Sequence, residues 1–184
     1  MKATTSFLAV LALLPGVAIA QSRHEQDPMV SIYASDYGVT EAEASRRLGY
    51  TDDAVNLKQA AEAKFPDTFG GLYIQHKPSY QIIVKFSRDA EASLRSLTVD
   101  PTFAAVKSEH SIRDLEQKAS QVESVLKGKG IECRATVNSK DSVVVVWLDK
   151  SQLDIARTKL IDEGIELSAI KIVPYGEIEL TKGS

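Results

Sequence analysis

The chain has 184 residues and a formal net charge of −3. Its Lys and Arg side chains are spread among Asp and Glu, so no basic stripe suited to a nucleic-acid backbone emerges. Cys133 is the only cysteine, which excludes an internal disulfide and leaves stability to packing or to a partner.

Residues 1–20 read as a cleaved secretory signal peptide. Lys2 supplies the positive start, residues 7–14 are an unbroken apolar run, and Ala18-Ile19-Ala20 has the small-x-small pattern that signal peptidase accepts. A membrane anchor needs roughly 20 apolar residues, whereas Pro15-Gly16 breaks this stretch and charges follow it. Gln21 occupies the place that a lipoprotein cysteine would need. The mature chain is therefore expected to be periplasmic or secreted, without stable membrane insertion, and loss of Lys2 takes its net charge from −3 to −4.

Residues 21–38 are polar, contain Pro28 and show no period, so they read as a flexible leader. Thr40 and Glu43 form a capping-box pattern that opens a short helix ending near Leu48-Gly49. Thr51 or Asp52 caps a second helix to about Lys64, with Val55, Leu57 and Ala61 towards the core and Pro66 as its stop. Two apolar runs, 72–76 and 80–86, flank Lys77-Pro78-Ser79 and predict a hairpin. Asp89 opens a short helix to Leu97, Asp100-Pro101 breaks it, and Phe103–Lys107 is the third strand.

The same order then returns. Ser111 caps a long helix in which Ile112, Leu115, Ala119, Val122 and Leu126 recur at helical spacing until Gly128 and Gly130. Strands over 131–138 and Val143–Leu148 make a second hairpin. A helix over 151–163 follows, with Leu153, Ala156, Leu160 and Ile161 inward, and the last strand covers 167–173. The alternation Ile131, Cys133, Ala135, Val137 places Cys133 on an apolar strand face, as a buried small hydrophobe.

Each half thus reads helix, strand, strand, helix, strand, with the hairpins 62 residues apart, a pattern of degenerate internal duplication. The expected fold is α+β: two small tandem lobes, 39–110 and 111–173, each with a three-stranded sheet, plus a short N-terminal helix and a tail over 174–184. A lobe of about 60 residues buries little apolar surface on its own. The run Val143-Val144-Val145-Val146-Trp147 is apolar on both strand faces, so the face bearing Val143, Val145 and Trp147 needs cover from the other lobe, a helix or another protein.

Residues that carry chemistry are sparse. His24, His76 and His110 stand without a second ligand at metal-binding spacing, and His76 and His110 read as ordinary exposed positions. Gly70-Gly71 is followed by a strand and by no Lys-Ser or Lys-Thr, so it reads as a tight lead-in to the hairpin, not a phosphate loop. There is no nucleophile elbow, and Asp52-Asp53 and Asp162-Glu163 are adjacent acids whose side chains diverge around a helix. Neither a metal, a cofactor nor a catalytic group is expected.

The stretches Tyr37-Gly38-Val39-Thr40-Glu41-Ala42-Glu43-Ala44, Arg46-Arg47-Leu48 and Phe69-Gly70-Gly71-Leu72-Tyr73-Ile74 resemble the prodomain of secreted chymotrypsin-like serine proteases of the alpha-lytic protease and streptogrisin type. The likeness covers roughly residues 36–173. It implies a folding chaperone and inhibitor of a trypsin-like protease, acting in trans, since no catalytic His, Asp and Ser region follows here. It also implies that the second sheet pairs with a protease hairpin, through Val143, Val145 and Trp147 and through Leu167, Ile170 and Ile172. The tail from Pro174 and Tyr175 to Ser184 is implied to lie in the substrate cleft. The rival expectation is an envelope module that binds peptides or wall fragments.

Overall fold

The computed structural model describes residues 27–176; residues 1–20, expected to be the signal peptide, residues 21–26 of the leader and residues 177–184 of the tail, Ser184 among them, lie outside those described. In chain order the elements are helices α1 (Pro28–Tyr37) and α2 (Glu41–Lys64), strands β1 (Phe69–Gln75) and β2 (Gln81–Phe86), helix α3 (Ala90–Arg95) and strand β3 (Phe103–Lys107). The second series is α4 (Ile112–Gly128), β4 (Cys133–Asn138), β5 (Val143–Leu148), α5 (Leu153–Asp162) and β6 (Ile170–Pro174). The fold is α+β, with two three-stranded sheets ordered β1-β2-β3 and β4-β5-β6. In each, the hairpin is antiparallel and the third strand lies parallel to the middle one. A parallel neighbour requires a crossover, which α3 and α5 provide. This shared order is compatible with the duplication pattern and does not by itself establish it.

Each sheet has its own core. In the first lobe Leu57 and Ala61 of α2 meet Phe69, Ile82, Val84, Phe86, Leu94 and Phe103. In the second, the α4 stripe Leu115, Ala119, Val122 and Leu126 covers Val144, Val146 and Leu148, and Ala156 and Leu160 of α5 join the same cluster. A fully buried side chain of this size stabilises by about 1.5–3 kcal/mol. Helix α4 starts as its sequence dictates. Ser111 accepts from the Asp114 amide while Asp114 returns a bond to the Ser111 amide, both at 3.1 Å.

The N-terminal segment departs from expectation. Pro28–Tyr37 is a helix, not loose leader: Asp27 accepts from the Met29 amide at 3.0 Å, Pro28 starts the helix, and Gly38 ends it at φ 64°. No α1 residue is buried, which is why an apolar period is absent. The two helices expected over 40–64 are one, running through Gly49. A helical glycine costs only about 1 kcal/mol. Tyr50, the next residue, is held by Phe103 at 6.2 Å and by its hydroxyl bond to Asp100. Thr51 bonds back to the Leu48 carbonyl instead of capping a new helix. Val55 and Ile161, expected inward, are 49% and 61% exposed. The start of the last helix is a 3-10 turn over Lys150–Gln152.

The lobes meet where the β4–β5 turn touches β1 and β2. Asn138 and Asp141 brace that turn through two mutual bonds. The Lys85 ammonium of β2, only 6% exposed, donates to the Ser139 and Lys140 carbonyls at 3.0 Å each and to the Ser142 hydroxyl. Burial pushes its pKa below the usual lysine value. Lys85→Met keeps the stem but leaves two carbonyls without a donor. An unpaired buried acceptor costs about 1–3 kcal/mol, so the urea midpoint of this variant is expected to fall accordingly. An unchanged midpoint would mean that Lys85 does not hold the junction.

Candidate functional site

The middle strands of the two sheets occupy equivalent places and start 62 residues apart, at Gln81 and Val143. Strand side chains alternate between faces. In β2 both faces are closed: Ile82, Val84 and Phe86 point into the core, and on the other side Ile83 is 4% and Lys85 6% exposed. In β5 only one face is closed. Val144, Val146 and Leu148 are fully buried, whereas Val143, Val145 and Trp147 are partly exposed and lie outside the lobe's core cluster. Three consecutive outward positions of one strand are thus apolar and partly exposed.

Register completes this face. Arg134 of β4 lies opposite Trp147, Thr136 opposite Val145 and Asn138 opposite Val143. On the other flank Lys171 of β6 lies opposite Val145 and Val173 opposite Trp147. The result is an apolar stripe flanked by one cation on each side, with no acidic residue among these opposing positions. Directly opposed strand residues have Cβ atoms about 4.5–5.5 Å apart, so this is a contiguous surface.

The two edges of the sheet differ. On β4 the Ala135 amide donates to the Glu123 carboxylate at 2.6 Å, a bond that also holds the Glu123 pKa below its usual value. Strand β6 pairs with β5 on one side and, among the described residues, with no strand on the other. An open strand edge presents backbone donors and acceptors to an added strand.

The candidate residues named from sequence divide between two sides. Val143, Val145 and Trp147 come together on the open face. Leu167, Ile170 and Ile172 pack against the lobe's own core, Ile170 opposite Val144 and Ile172 opposite Val146. Pro174 pairs with Leu148, and Tyr175, 55% exposed, donates its amide to the Leu148 carbonyl at 2.9 Å, so the chain stays along β5 to that point. Ser184 lies outside the described residues. Arg134, Lys171 and Val173 were not singled out from sequence. The alternation in β6 carries the missing signal, because inward Ile170 and Ile172 force 171 and 173 outward.

Elsewhere, Cys133 is buried and its thiol is pushed up by that burial. His76 is not an ordinary exposed residue. It is half-buried, with Nδ1 2.7 Å from the Tyr33 hydroxyl. Among the described residues no group of three or more His, Cys, Asp and Glu side chains is placed to hold a metal ion, and no helix is long and apolar enough to cross a membrane. No protein-family model matches the chain, and no curated protein matches it.

Proposed function

We propose that this chain is an exported, non-enzymatic protein that binds a chymotrypsin-like serine protease, acting in trans as an inhibitor, a folding helper or both. One observation carries the reading: of two lobes with the same topology, only the second leaves the outer face of its middle strand partly exposed, with Trp147 on it. An aromatic side chain in an apolar stripe next to a sheet edge is the composition of a protein-docking surface. Strand β6 supplies main-chain pairing and the Val143, Val145 and Trp147 face supplies side-chain contact. The resemblance of residues 36–173 to protease prodomains selects the partner class.

The test mixes the mature chain with secreted chymotrypsin-fold proteases and follows peptide hydrolysis and the yield of active protease on refolding. Inhibition at micromolar concentration or a raised refolding yield is expected with at least one of them. No effect on either measure with any of them at that concentration overturns the proposal.

A further inference from the structure

Helix α1 is attached to the first lobe by side chains at its surface. It buries no residue of its own and lies along α2. Its link to the end of the β1–β2 hairpin is a cluster of rings around His76. Tyr37 stacks on the imidazole, with centroids 4.3 Å apart and planes at 27°. Tyr33 meets the same ring edge-on at 5.7 Å, and its hydroxyl sits 2.7 Å from Nδ1.

The groups that face this ring come from three elements. From α1 they are Tyr33 and Tyr37. From α2 comes Arg47, whose charge acts on Tyr33 and His76 and whose guanidinium lies 5.0 Å from the Tyr80 ring. Behind Arg47, the Glu43 carboxylate accepts from both Arg46 and Arg47, each at 2.7 Å. From the hairpin comes Tyr80, its ring 6.1 Å from His76, with Lys77 exposed next in the chain.

The Tyr33 hydroxyl and His76 Nδ1 share one hydrogen bond whose direction follows the state of the ring: against a neutral ring protonated on Nε2, the hydroxyl donates to Nδ1. An accepting Nδ1 belongs to the neutral imidazole with its proton on Nε2. A proton on Nδ1 removes the acceptor and places a second cation beside Arg47 in a half-buried site.

We propose that α1 is an acid-released latch: Tyr33 and Tyr37 dock on neutral His76, and protonation of that imidazole loosens α1 from the first lobe. Burial first, and then the Arg47 charge, lower the His76 pKa. A histidine whose pKa is lower docked than free favours docking above the free value, about 6.5, and loses that contribution as pH falls through the docked value. Glu43, held near about 2 by its two arginines, stays ionised throughout and does not supply the change.

Hydrogen exchange on the full mature chain at pH 7.5 and pH 5.0, corrected for the intrinsic pH dependence of exchange, tests the latch. Protection of the α1 amides is expected to fall several-fold at the lower pH while that of α4 holds. His76→Phe keeps a ring for stacking and cannot titrate, so its α1 protection is expected to be the same at both values. Protection in the native chain that does not change, or a fall of equal size in His76→Phe, overturns the proposal. The His76 imidazole titration, followed by NMR, is an independent reading. It is expected below the free value in the native chain and to return towards it in a Tyr33→Phe, Tyr37→Ala double variant. A separation of about one pH unit between the two corresponds to a tenfold weaker docking in acid. A native titration at or above the free value overturns the latch even if the variants fold poorly.

Discussion

Gly71→Ala is expected to destabilise this protein by about 3 kcal/mol and to part its two lobes. Gly71, paired with Lys85, is the first position after the irregularity in the β1–β2 register that follows Phe69, and its φ is +105°. Any side chain there is strained, since left-handed backbone costs an L-residue about 1–2 kcal/mol. The second contribution is steric. A Cβ at this position meets the Ser139 Cβ at 2.6 Å and the Ile112 Cδ1 at 3.3 Å, both in the second lobe. Ser139 belongs to the turn whose carbonyls Lys85 clamps, so the new methyl cannot be accommodated without moving that turn off β2.

Gly49→Ala is the matched control. Gly49 is interior to α2 and an added Cβ there has nothing within 4 Å, so alanine is expected to stabilise by about 1 kcal/mol through helix propensity alone. Urea unfolding of both variants checks the pair. A neutral Gly71→Ala would show that the close approach of the lobes does not contribute to folding.

Trp147→Ala is expected to weaken the proposed protease association about 30-fold or more, while its two cross-strand pairs set a loss of folding stability of up to about 2 kcal/mol. Trp147 is outside the core cluster, and its neighbours on the face are cross-strand partners Arg134 and Val173, whose pairwise contributions are of order 0.2–1 kcal/mol. In an interface, an aromatic anchor of this kind contributes 2 kcal/mol or more, which is about 30-fold in dissociation constant. Val146→Ala, the adjacent residue on the fully buried face, differs in binding: stability falls by about 2 kcal/mol and the folded fraction binds as before. Inhibition titrations and urea midpoints measured on the same preparations separate the two. Equal loss of binding in both variants would place the contact elsewhere than the open face.

The electrostatic flanks bear on the same surface. Arg134 and Lys171 lie on opposite sides of the apolar stripe. Rim charges of this sort steer encounter and set its salt dependence more than they add affinity. In the proposed association the second lobe would offer an apolar centre for affinity and cations at the margin for orientation, within a sheet whose β6 side pairs with no further strand among the described residues.

Much of this architecture is legible in the sequence because it depends on short-range chemistry. The Ser111-to-Asp114 box and the stripe from Leu115 to Leu126 define α4 within one helix. The β-branched run Val143–Leu148 is the strand expected of it, residue for residue, and Phe103–Lys107 likewise. The alternation within β5 was enough to name Val143, Val145 and Trp147 as the side needing cover. Even α1 carried its end signals, Asp27-Pro28 and Gly38, although without an apolar period there was nothing to set against the polar composition.

What the tertiary structure alone decided involves residues far apart in the chain. Lys85 looks like a solvated strand lysine until a turn 54 and 55 residues later brings two carbonyls to its ammonium. Gly70-Gly71 reads as a local turn until Ser108 and Ser139 are seen to occupy the space that their side chains would fill. His76 passes for an exposed strand end until Tyr33, 43 residues earlier, closes on its Nδ1. Helix α2 keeps running through Gly49 because Phe103 and Asp100 hold Tyr50 in place, against a helix penalty too small to end it. Local backbone preference and hydrophobic period set which elements form. Which faces those elements leave open follows only from contacts made across the whole chain, because a side chain's cover is supplied by whatever the fold brings against it.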